Sequence, residues 1–341
     1  MPTLADIKWM DAAARYASRF LGTTAENPTV AALIVDPKTD ILVSRAVTAP
    51  GGRPHAEPQA IESAGEKSAD ATLYVTLEPC HHHGKTPPCV DAVIDAGIKR
   101  VVIGQLDADP RTAGQSVEKL RAAKIDVIVL VDHQPTTILH RAFFKRVRKG
   151  LPFVTAKLAV SKDGMVGRIG EGNVAITGSE AKAWTHTLRS RIDGIAVGAK
   201  TAILDNPSLN VRLRGLESRS PRPIVISSAT SDLPSGMTLG ADPRFVSVCS
   251  NKDLKSALQS IANEGINHLL VEGGPKLLNE LLDAGLIDEF YLLESKIEIG
   301  AGGLPAVQGS NIGDKLASLG FLDYGTSKLG ADRVTHFQRN D

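Results

Sequence analysis

One histidine, one glutamate and two cysteines in the first third of the chain have the types and spacing of a hydrolytic zinc site. His55 and Glu57 lie two residues apart at the predicted start of a helix, and eight residues separate Cys80 from Cys89. One imidazole and two thiolates can hold zinc and leave a position for water, whose pKa falls to about 7. A nearby carboxylate can move a proton from that water to a departing amine. The pattern predicts a zinc-dependent deaminase with His55, Cys80 and Cys89 as ligands and Glu57 as the catalytic residue.

A closed structural zinc site is the alternative to a catalytic one. The segment between the cysteines contains His81-His82-His83, and one of these could supply a fourth ligand. A closed site usually needs no adjacent carboxylate, so Glu57 favours the catalytic interpretation. Cys89 follows Pro88 at a predicted helix start, where the helix N-terminus lowers a thiol pKa and favours the metal-binding thiolate.

The composition suggests two domains and argues against several functional classes. The chain has 341 residues, of which 42% are hydrophobic, enough to bury a sizeable core. Its net charge is +1 and its aromatic content is 4%, so we expect no nucleic-acid or membrane partner. Three cysteines indicate a reducing compartment rather than a disulfide framework. No secretory or membrane-spanning segment is recognisable, so we expect a cytoplasmic protein.

Strands that alternate with helices predict an α/β fold in both halves of the chain. In the first half we predict helices at 6–21, 55–64, 89–96 and 117–123, and strands at 30–35, 41–43, 72–77, 99–104 and 125–131. In the second half we predict strands at 153–161, 194–198, 223–228, 245–249, 269–272 and 289–295, and helices at 179–190, 254–264 and 275–284. A basic run at 141–150 is interpreted as a solvated helix before a linker. This boundary predicts domains at 1–148 and 149–341.

Several motifs distributed over nearly the whole chain carry a resemblance to a known family. Those in the first half are Glu26-Asn27-Pro28, Gly52-Arg53-Pro54-His55-Ala56-Glu57 and the run from Thr76 to Cys89 with its long loop between the cysteines. Those in the second half are the runs at 157–164 and 201–207 and Val271-Glu272-Gly273-Gly274-Pro275. Together they resemble the bifunctional deaminase–reductase family of riboflavin biosynthesis.

The resemblance implies a cytidine-deaminase-like domain followed by a dihydrofolate-reductase-like domain. The first would use zinc to hydrolyse the 2-amino group of 2,5-diamino-6-(5-phosphoribosylamino)pyrimidin-4-one. The second would use NADPH to reduce the ribosyl group to a ribityl chain. The implied partners are therefore small phosphorylated pyrimidines, and the family also implies a homo-oligomer.

The resemblance also assigns contact residues. Those implied for substrates are Asn27, His82, Lys85, Asp107, Asn173, Arg189, Leu209, Arg212 and Glu272. Those implied for NADPH are Lys157, Ala159, Ser161, Asp163, Ala175, Thr201, Asp205, Ser228, Gly274, Pro275 and Lys276. Without the resemblance, Gly273-Gly274-Pro275 would be interpreted as a turn and Lys85 as a solvated loop residue. With it, glycine amides and a helix N-terminus suit cofactor phosphate, and arginines suit the ribose phosphate.

Five positions depart from the family pattern. Ala31 replaces a common glycine, Thr48 a frequent histidine, Ala108 a proline and Ser227 a frequent aspartate. Asp109 places a carboxylate where a neutral amide would better tolerate substrate phosphate. These departures leave two alternatives open: a deaminase of another nucleobase or nucleotide with a non-reducing second domain, and a zinc-stabilised nucleotide-binding module.

Overall fold

The chain forms two compact units. The computed structural model describes residues 1–84, 86–170, 174–228, 234, 236–250 and 253–340. The N-terminal unit is Met1–Gly150 and the C-terminal unit is Leu151–Asp341. The boundary predicted from the sequence lies between residues 148 and 149, two residues before this division. Within the described ranges, no helix has the length and apolar character needed to cross a membrane.

The N-terminal unit is built on one five-stranded sheet. Its strands are β1 (Ala31–Asp36), β2 (Ile41–Val47), β3 (Thr72–Val75), β4 (Arg100–Ile103) and β5 (Asp126–Val129). Its helices are α1 (Leu4–Ala17), α2 (Ala56–Ala64), α3 (Cys89–Asp95), α4 (Gln115–Ala122) and α5 (Gln134–Lys149). The strand order is β2-β1-β3-β4-β5. Strand β1 is antiparallel to β2 and β3, whereas β3, β4 and β5 are parallel, which confirms the predicted parallel pairing.

Helices pack on both faces of this sheet because successive strand residues point to opposite faces and both sets are apolar. Ile34 of β1 belongs to a buried cluster with Ala60 of α2 and Val90 of α3. The preceding residue of β1, Leu33, belongs to a second buried cluster with Met10 of α1. Helices α2 and α3 therefore lie on the same face of the sheet, where they contact each other. This packing brings the first turns of both helices together.

One sequence interpretation of this unit was wrong, and another was only partly confirmed. The second strand does not end at residue 43, because β2 continues until Val47 pairs with Ala31. The basic run at 141–150 is helical and ends at the division between the two units, as predicted, but it is not solvated on every side. It is the last part of α5, whose Phe144 is buried in the core. The residues three or four apart that form the buried face of α5 are Thr136, Leu139, His140 and Phe144. The many cations of the helix conceal this face in an interpretation based on composition.

The C-terminal unit is also α/β. Its strands are β6 (Phe153–Val160), β7 (Met165–Arg168), β8 (Gly194–Gly198), β9 (Arg222–Ser227), β10 (Val246–Cys249), β11 (His268–Glu272), β12 (Glu289–Glu294), β13 (Gly303–Pro305), β14 (Phe321–Leu329) and β15 (Asp332–Arg339). Its helices are α6 (Ser179–Arg189), α7 (Ala199–Asp205), α8 (Leu254–Asn263), α9 (Pro275–Asp283) and α10 (Ile312–Ser318).

Eight of these strands form one sheet, in the order β10-β9-β8-β11-β6-β12-β15-β14. The first six are parallel, and β15 is antiparallel to both of its neighbours. Strands β7 and β13 form a separate antiparallel pair. The carboxyl ends of parallel strands meet at one edge, which is where ligands bind in open α/β sheets. Four of the predicted contact segments follow β6, β8, β9 and β11 at this edge.

Candidate active sites

The three predicted zinc ligands converge in the N-terminal unit. His55 immediately precedes α2, Cys89 is the first residue of α3, and Cys80 lies in the segment after β3. The Nδ1 atom of His55 is 3.7 Å from Sγ of Cys80 and 3.3 Å from Sγ of Cys89. All three ligand atoms lie within 4.8 Å of one another. In a tetrahedral site with Zn–S of about 2.3 Å and Zn–N of about 2.0 Å, ligand atoms lie about 3.5–3.8 Å apart, so the donor set fits zinc.

The two thiols have different acidities. Hydrogen bonds from Cys89 and His55 stabilise the thiolate of Cys80 and lower its pKa to about 4. The pKa of Cys89 is raised, because its thiol donates to Cys80 and is buried. The hydrogen bond to Cys80 also raises the pKa of His55. A cation among these atoms would favour both thiolates and a neutral imidazole.

Glu57 lies in the first turn of α2 and is 3% exposed. Burial and the neighbouring charge of Cys80 raise the pKa of Glu57 to about 7. A carboxyl group with this pKa can accept and release a proton near neutral pH, as a general acid–base catalyst must. Its position two residues after His55 keeps it beside the ligand cluster.

Asn27 packs closely against Gly52, which lies three residues before the predicted ligand His55 in the sequence. Gly52 has φ +89°, and a Cβ at this position would lie 2.1 Å from Nδ2 of Asn27. Only glycine therefore permits this packing three residues before His55. Thr48, which stands where the family frequently has histidine, binds the segment after Asn27: its hydroxyl donates to the Pro28 carbonyl at 3.1 Å.

The other predicted deaminase contacts lie on two loops. The Nδ1 atom of His82 is 3.4 Å from the hydroxyl of Thr112. Burial raises the pKa of Asp107 to about 6. The Nε atom of Arg111 lies 3.0 Å from both carboxylate oxygens of Asp109, and this pairing lowers the pKa of Asp109. The carboxylate that departs from the family pattern is thus paired with a cation. Lys85, also predicted here, lies outside the described residues.

Glu78 organises this region, although sequence reasoning assigned it no role. It is 3% exposed, and its carboxylate accepts hydrogen bonds from the backbone amides of Asp107, Gly114 and Ser116 at 3.2, 2.9 and 3.1 Å. The carboxylate therefore fixes the loop that carries Asp107 and the first turn of α4. The available signal was an acidic residue three positions after the apolar strand β3 and two residues before a metal ligand.

The C-terminal unit contains a cavity of 1220 Å³ at the carboxyl edge of its parallel strands. The predicted substrate contacts that line this cavity are Arg189, Leu209, Arg212 and Glu272. The predicted cofactor contacts that line it are Lys157, Ala159, Ala175, Thr201, Asp205, Ser228, Gly274, Pro275 and Lys276. Asn173 lies outside the described residues. Residues more than 100 positions apart in the chain are therefore brought to one cavity.

A buried carboxylate with two cations forms part of the cavity wall. Glu272 ends β11 and pairs in register with Lys157 of β6. The Nε and Nη2 atoms of Arg189 donate to the two Glu272 oxygens at 2.7 and 3.0 Å, and Nζ of Lys157 donates at 3.4 Å. Burial alone would raise the pKa of Glu272, but Lys157 and Arg189 outweigh burial and lower it to about 2. The carboxylate is therefore ionised at neutral pH.

The turn between β11 and α9 lies close to α7. Gly274 has φ +65°, and a Cβ there would lie 2.7 Å from Oγ1 of Thr201. The turn ends at Pro275, the first residue of α9. The backbone amides in the first turn of a helix favour an anion at its N-terminus. This geometry fits the predicted cofactor phosphate contact.

Two predicted cofactor contacts do not line the cavity. Ser161 and Asp163 instead form the turn after β6, where the Ser161 hydroxyl donates to Asp163 at 2.6 Å. The Asp163 carboxylate also accepts from the amides of Ile299 and Gly300 at 3.1 and 2.8 Å. These bonds attach the turn to the segment before β13.

The fold and the two sites define a class of protein. The family model for the cytidine and deoxycytidylate deaminase zinc-binding region matches residues 4–105, and the model for the RibD C-terminal domain matches residues 152–328. A zinc-dependent deaminase domain and a reductase domain on one chain form a bifunctional enzyme.

Relatives of known family are similar to this chain over most of its length. A riboflavin biosynthesis protein RibD of Aquifex aeolicus is 34% identical over 98% of this chain and 98% of its own length. The corresponding protein of Escherichia coli is 34% identical over 84% of this chain and 86% of its own. The structure of Acinetobacter baumannii RibD (form 2) has a TM-score of 0.87 and 29% identity, covering 98% of this chain and 99% of that chain. The chain belongs to the RibD family of riboflavin biosynthesis proteins.

Membership confirms the α/β fold class, the deaminase and reductase activities, and zinc and NADPH as cofactors. A deaminase–reductase structure from Thermotoga maritima agrees, with a TM-score of 0.83 and 30% identity over 98% of this chain and 99% of that chain. The individual contact residues stay predictions.

Proposed function

We propose that this chain catalyses two consecutive reactions on a phosphorylated pyrimidine. The first hydrolyses the 2-amino group of 2,5-diamino-6-(5-phosphoribosylamino)pyrimidin-4-one, and the second reduces the resulting ribosylamino compound to its ribityl form. The observation that carries this proposal is the coexistence of two equipped sites. One has a zinc donor set beside the buried Glu57, and the other is a large cavity with an ionised, cation-paired Glu272.

In the deaminase unit, His55, Cys80 and Cys89 hold zinc, which when bound activates water for attack. Glu57 takes a proton from the attacking water and delivers it to the amino group, so that the carbon–oxygen bond forms, the carbon–nitrogen bond breaks and ammonia leaves. Glu57 is buried in the first turn of α2, two residues after His55, so the same carboxyl group can act first as a base and then as an acid. Asn27 and His82 hold the pyrimidine, and Asp107 orders the loop beside it.

In the reductase unit, NADPH when bound supplies the hydride. The reduction would add a hydride at the C1′ carbon of the ribosyl group and break the bond from C1′ to the ring oxygen, and that oxygen would take a proton. Lys157 is suited to deliver this proton, because it lines the cavity and its ammonium group donates to Glu272 at 3.4 Å. Arg189 and Arg212 hold the substrate, whereas Gly274 and Thr201 hold the cofactor.

A coupled assay that follows ammonia release and NADPH oxidation separately tests both halves. We expect the enzyme to release ammonia from the diamino substrate in the absence of NADPH. We expect it to oxidise NADPH when it is given the deaminated intermediate, without any release of ammonia. A folded C-terminal unit that oxidises no NADPH with the intermediate would support the alternative of a deaminase with a non-reducing second domain. A chain that binds zinc but releases no ammonia would support the alternative of a zinc-stabilised nucleotide-binding module.

We also propose a cytoplasmic homo-oligomer, from the reducing-compartment composition and the family resemblance. Sedimentation velocity over a range of protein concentrations measures the oligomeric state, and a monomer at all concentrations would contradict this proposal.

A further inference from the structure

One face of α6 lines the reductase cavity. Lys182, Thr185, His186 and Arg189 are spaced by three, four and seven residues, so they project from the same side of the helix. Arg189 binds Glu272, and Lys182 and Thr185 have no part in the proposed mechanism. His186 also has none, yet it contacts the segment that carries two predicted substrate residues.

His186 and Arg189 together bind the backbone of this segment at two points. The amide of Arg212 donates to Nδ1 of His186 at 3.3 Å. The carbonyl of Asn210 accepts from Nη1 of Arg189 at 2.9 Å. The two side chains of α6 therefore bind the backbone of the segment at Asn210 and at Arg212.

Hydrogen bonds among its own side chains also hold Arg212 within the segment. The Arg212 guanidinium donates through Nη1 to the hydroxyl of Ser208 and to Oδ1 of Asn210, both at 2.9 Å. The Ser208 hydroxyl donates in turn to Oδ1 of Asn210 at 2.8 Å. Arg212 is exposed and lines the cavity, so an anion can reach its remaining donors.

The protonation of His186 suits its role as an acceptor. Burial and the charges of Arg189 and Arg212 lower the pKa of His186, which keeps the imidazole neutral at neutral pH. A neutral ring has one nitrogen that accepts, and the Arg212 amide occupies Nδ1. The hydrogen bond from the Arg212 amide is compatible with the tautomer that carries its proton on Nε2.

We propose that His186 is a positioning residue of the reductase site: by accepting the Arg212 amide it holds the 208–212 segment against α6 and aims Arg212 at the substrate phosphate. This rests on the proposed reductase function. His186 links the buried Arg189–Glu272 pair with the exposed arginine at the cavity edge. It acts through Arg212 and not by contact with the reacting atoms. The class of ligand it serves is a sugar phosphate.

A double-mutant cycle between His186 and Arg212 tests the proposal. We expect His186→Leu to raise KM for the deaminated substrate roughly tenfold, as for one lost hydrogen bond, and to change kcat little. In an Arg212→Ala background the same substitution should cost nothing further, because the arginine that it positions is gone. Equal losses in both backgrounds would overturn the proposal. A KM for NADPH that rises as much as the KM for the substrate would also overturn it.

Two further variants separate positioning from packing. The Oδ1 atom of asparagine can replace Nδ1, so His186→Asn should retain most of the affinity, whereas His186→Gln cannot place an acceptor there and should behave like His186→Leu. Loss of affinity in both would contradict the assignment. Thr187→Ser is the matched control, because Thr187 lies on α6 but donates to the Ala183 carbonyl and does not line the cavity.

Calorimetric titration with ribose 5-phosphate separates this proposal from the proposed reaction. A wild-type chain that oxidises no NADPH would contradict the proposed reductase reaction. Tighter binding of ribose 5-phosphate to the wild type than to His186→Gln would still support the positioning role of His186. Equal binding to both variants would overturn it.

Discussion

Arg189 and Glu272 form a two-point ion pair, in which Nε and Nη2 of the arginine lie 2.7 and 3.0 Å from the two carboxylate oxygens. The side chains are only 12% and 8% exposed. The pair joins the last residue of α6 to the last residue of β11, and so fixes the helix whose face lines the cavity. A charge-assisted pair of this geometry gives direction as well as attraction.

Replacement of Glu272 by glutamine should destabilise the C-terminal unit in a pH-dependent way. Removing the charge leaves Arg189 and Lys157 partly buried without their partner, which costs about 3 kcal/mol at neutral pH. The folded pKa is about 2 and the ordinary value is 4.5, so the carboxylate's contribution is complete above about pH 4.5 and is lost as pH falls toward 2. The difference in melting temperature between wild type and Glu272→Gln should therefore be constant from pH 5 to 7 and shrink toward pH 3. A difference that grew on acidification would contradict this assignment.

Glu57→Gln should abolish most deaminase turnover without loss of zinc. Glutamine keeps the shape but cannot exchange a proton, and proton transfer by a positioned side chain contributes roughly 10²- to 10⁴-fold. Ammonia release measures turnover, and elemental analysis measures zinc. Glu62→Gln is the control, since Glu62 lies on the same helix but is exposed. Full turnover with zinc bound would show that Glu57 does not transfer the proton.

Cys89→Ser should remove zinc and deaminase activity and leave the reductase active. Serine offers no thiolate, so the site keeps two of its three protein ligands. Zinc content, ammonia release and NADPH oxidation with the deaminated substrate are measured on one preparation. Cys249→Ser, at the end of β10, is the matched control and should change none of them. Unchanged zinc in Cys89→Ser would contradict the ligand assignment.

The zinc site could be predicted from sequence because its parts are local. His55 and Glu57 share the start of one helix, and Cys89 starts another after a proline. The positions of His55, Glu57 and Cys89 are therefore set by helix boundaries that the sequence marks, whereas Cys80 lies in the segment after β3. Glu78 was missed because its partners are backbone amides 29 to 38 residues away, and an amide carries no sequence signature.

The reductase cavity depended on resemblance, since Arg189 and Glu272 are 83 positions apart and only the sheet brings them together. Local patterns also failed for β14 and β15. Most of β14 is exposed and carries no alternation of apolar residues, so it becomes a strand only by pairing with β15. Strand preference of this kind is set by neighbours and not by the segment itself.

Gly274→Ala should weaken NADPH binding and leave the deaminase unchanged. The backbone has φ +65°, where an L-residue costs about 1–2 kcal/mol, and the new Cβ would lie 2.7 Å from Oγ1 of Thr201. The turn and α7 must then separate, and the amides that approach the cofactor shift with them. We expect KM for NADPH to rise about tenfold, for a cost near 1.4 kcal/mol.

Gly309→Ala separates the clash of the new Cβ from the backbone penalty. Gly309 has φ +74° with no atom within 4 Å of an added Cβ, so it meets the same conformational cost without a collision. We expect it to lower the melting temperature slightly and to leave KM for NADPH unchanged. Adding Thr201→Ala to Gly274→Ala removes the atom that the new Cβ meets, and should recover part of the lost melting temperature. No recovery, or an equal rise of KM in Gly309→Ala, would show that the approach of Gly274 to Thr201 does not control cofactor binding.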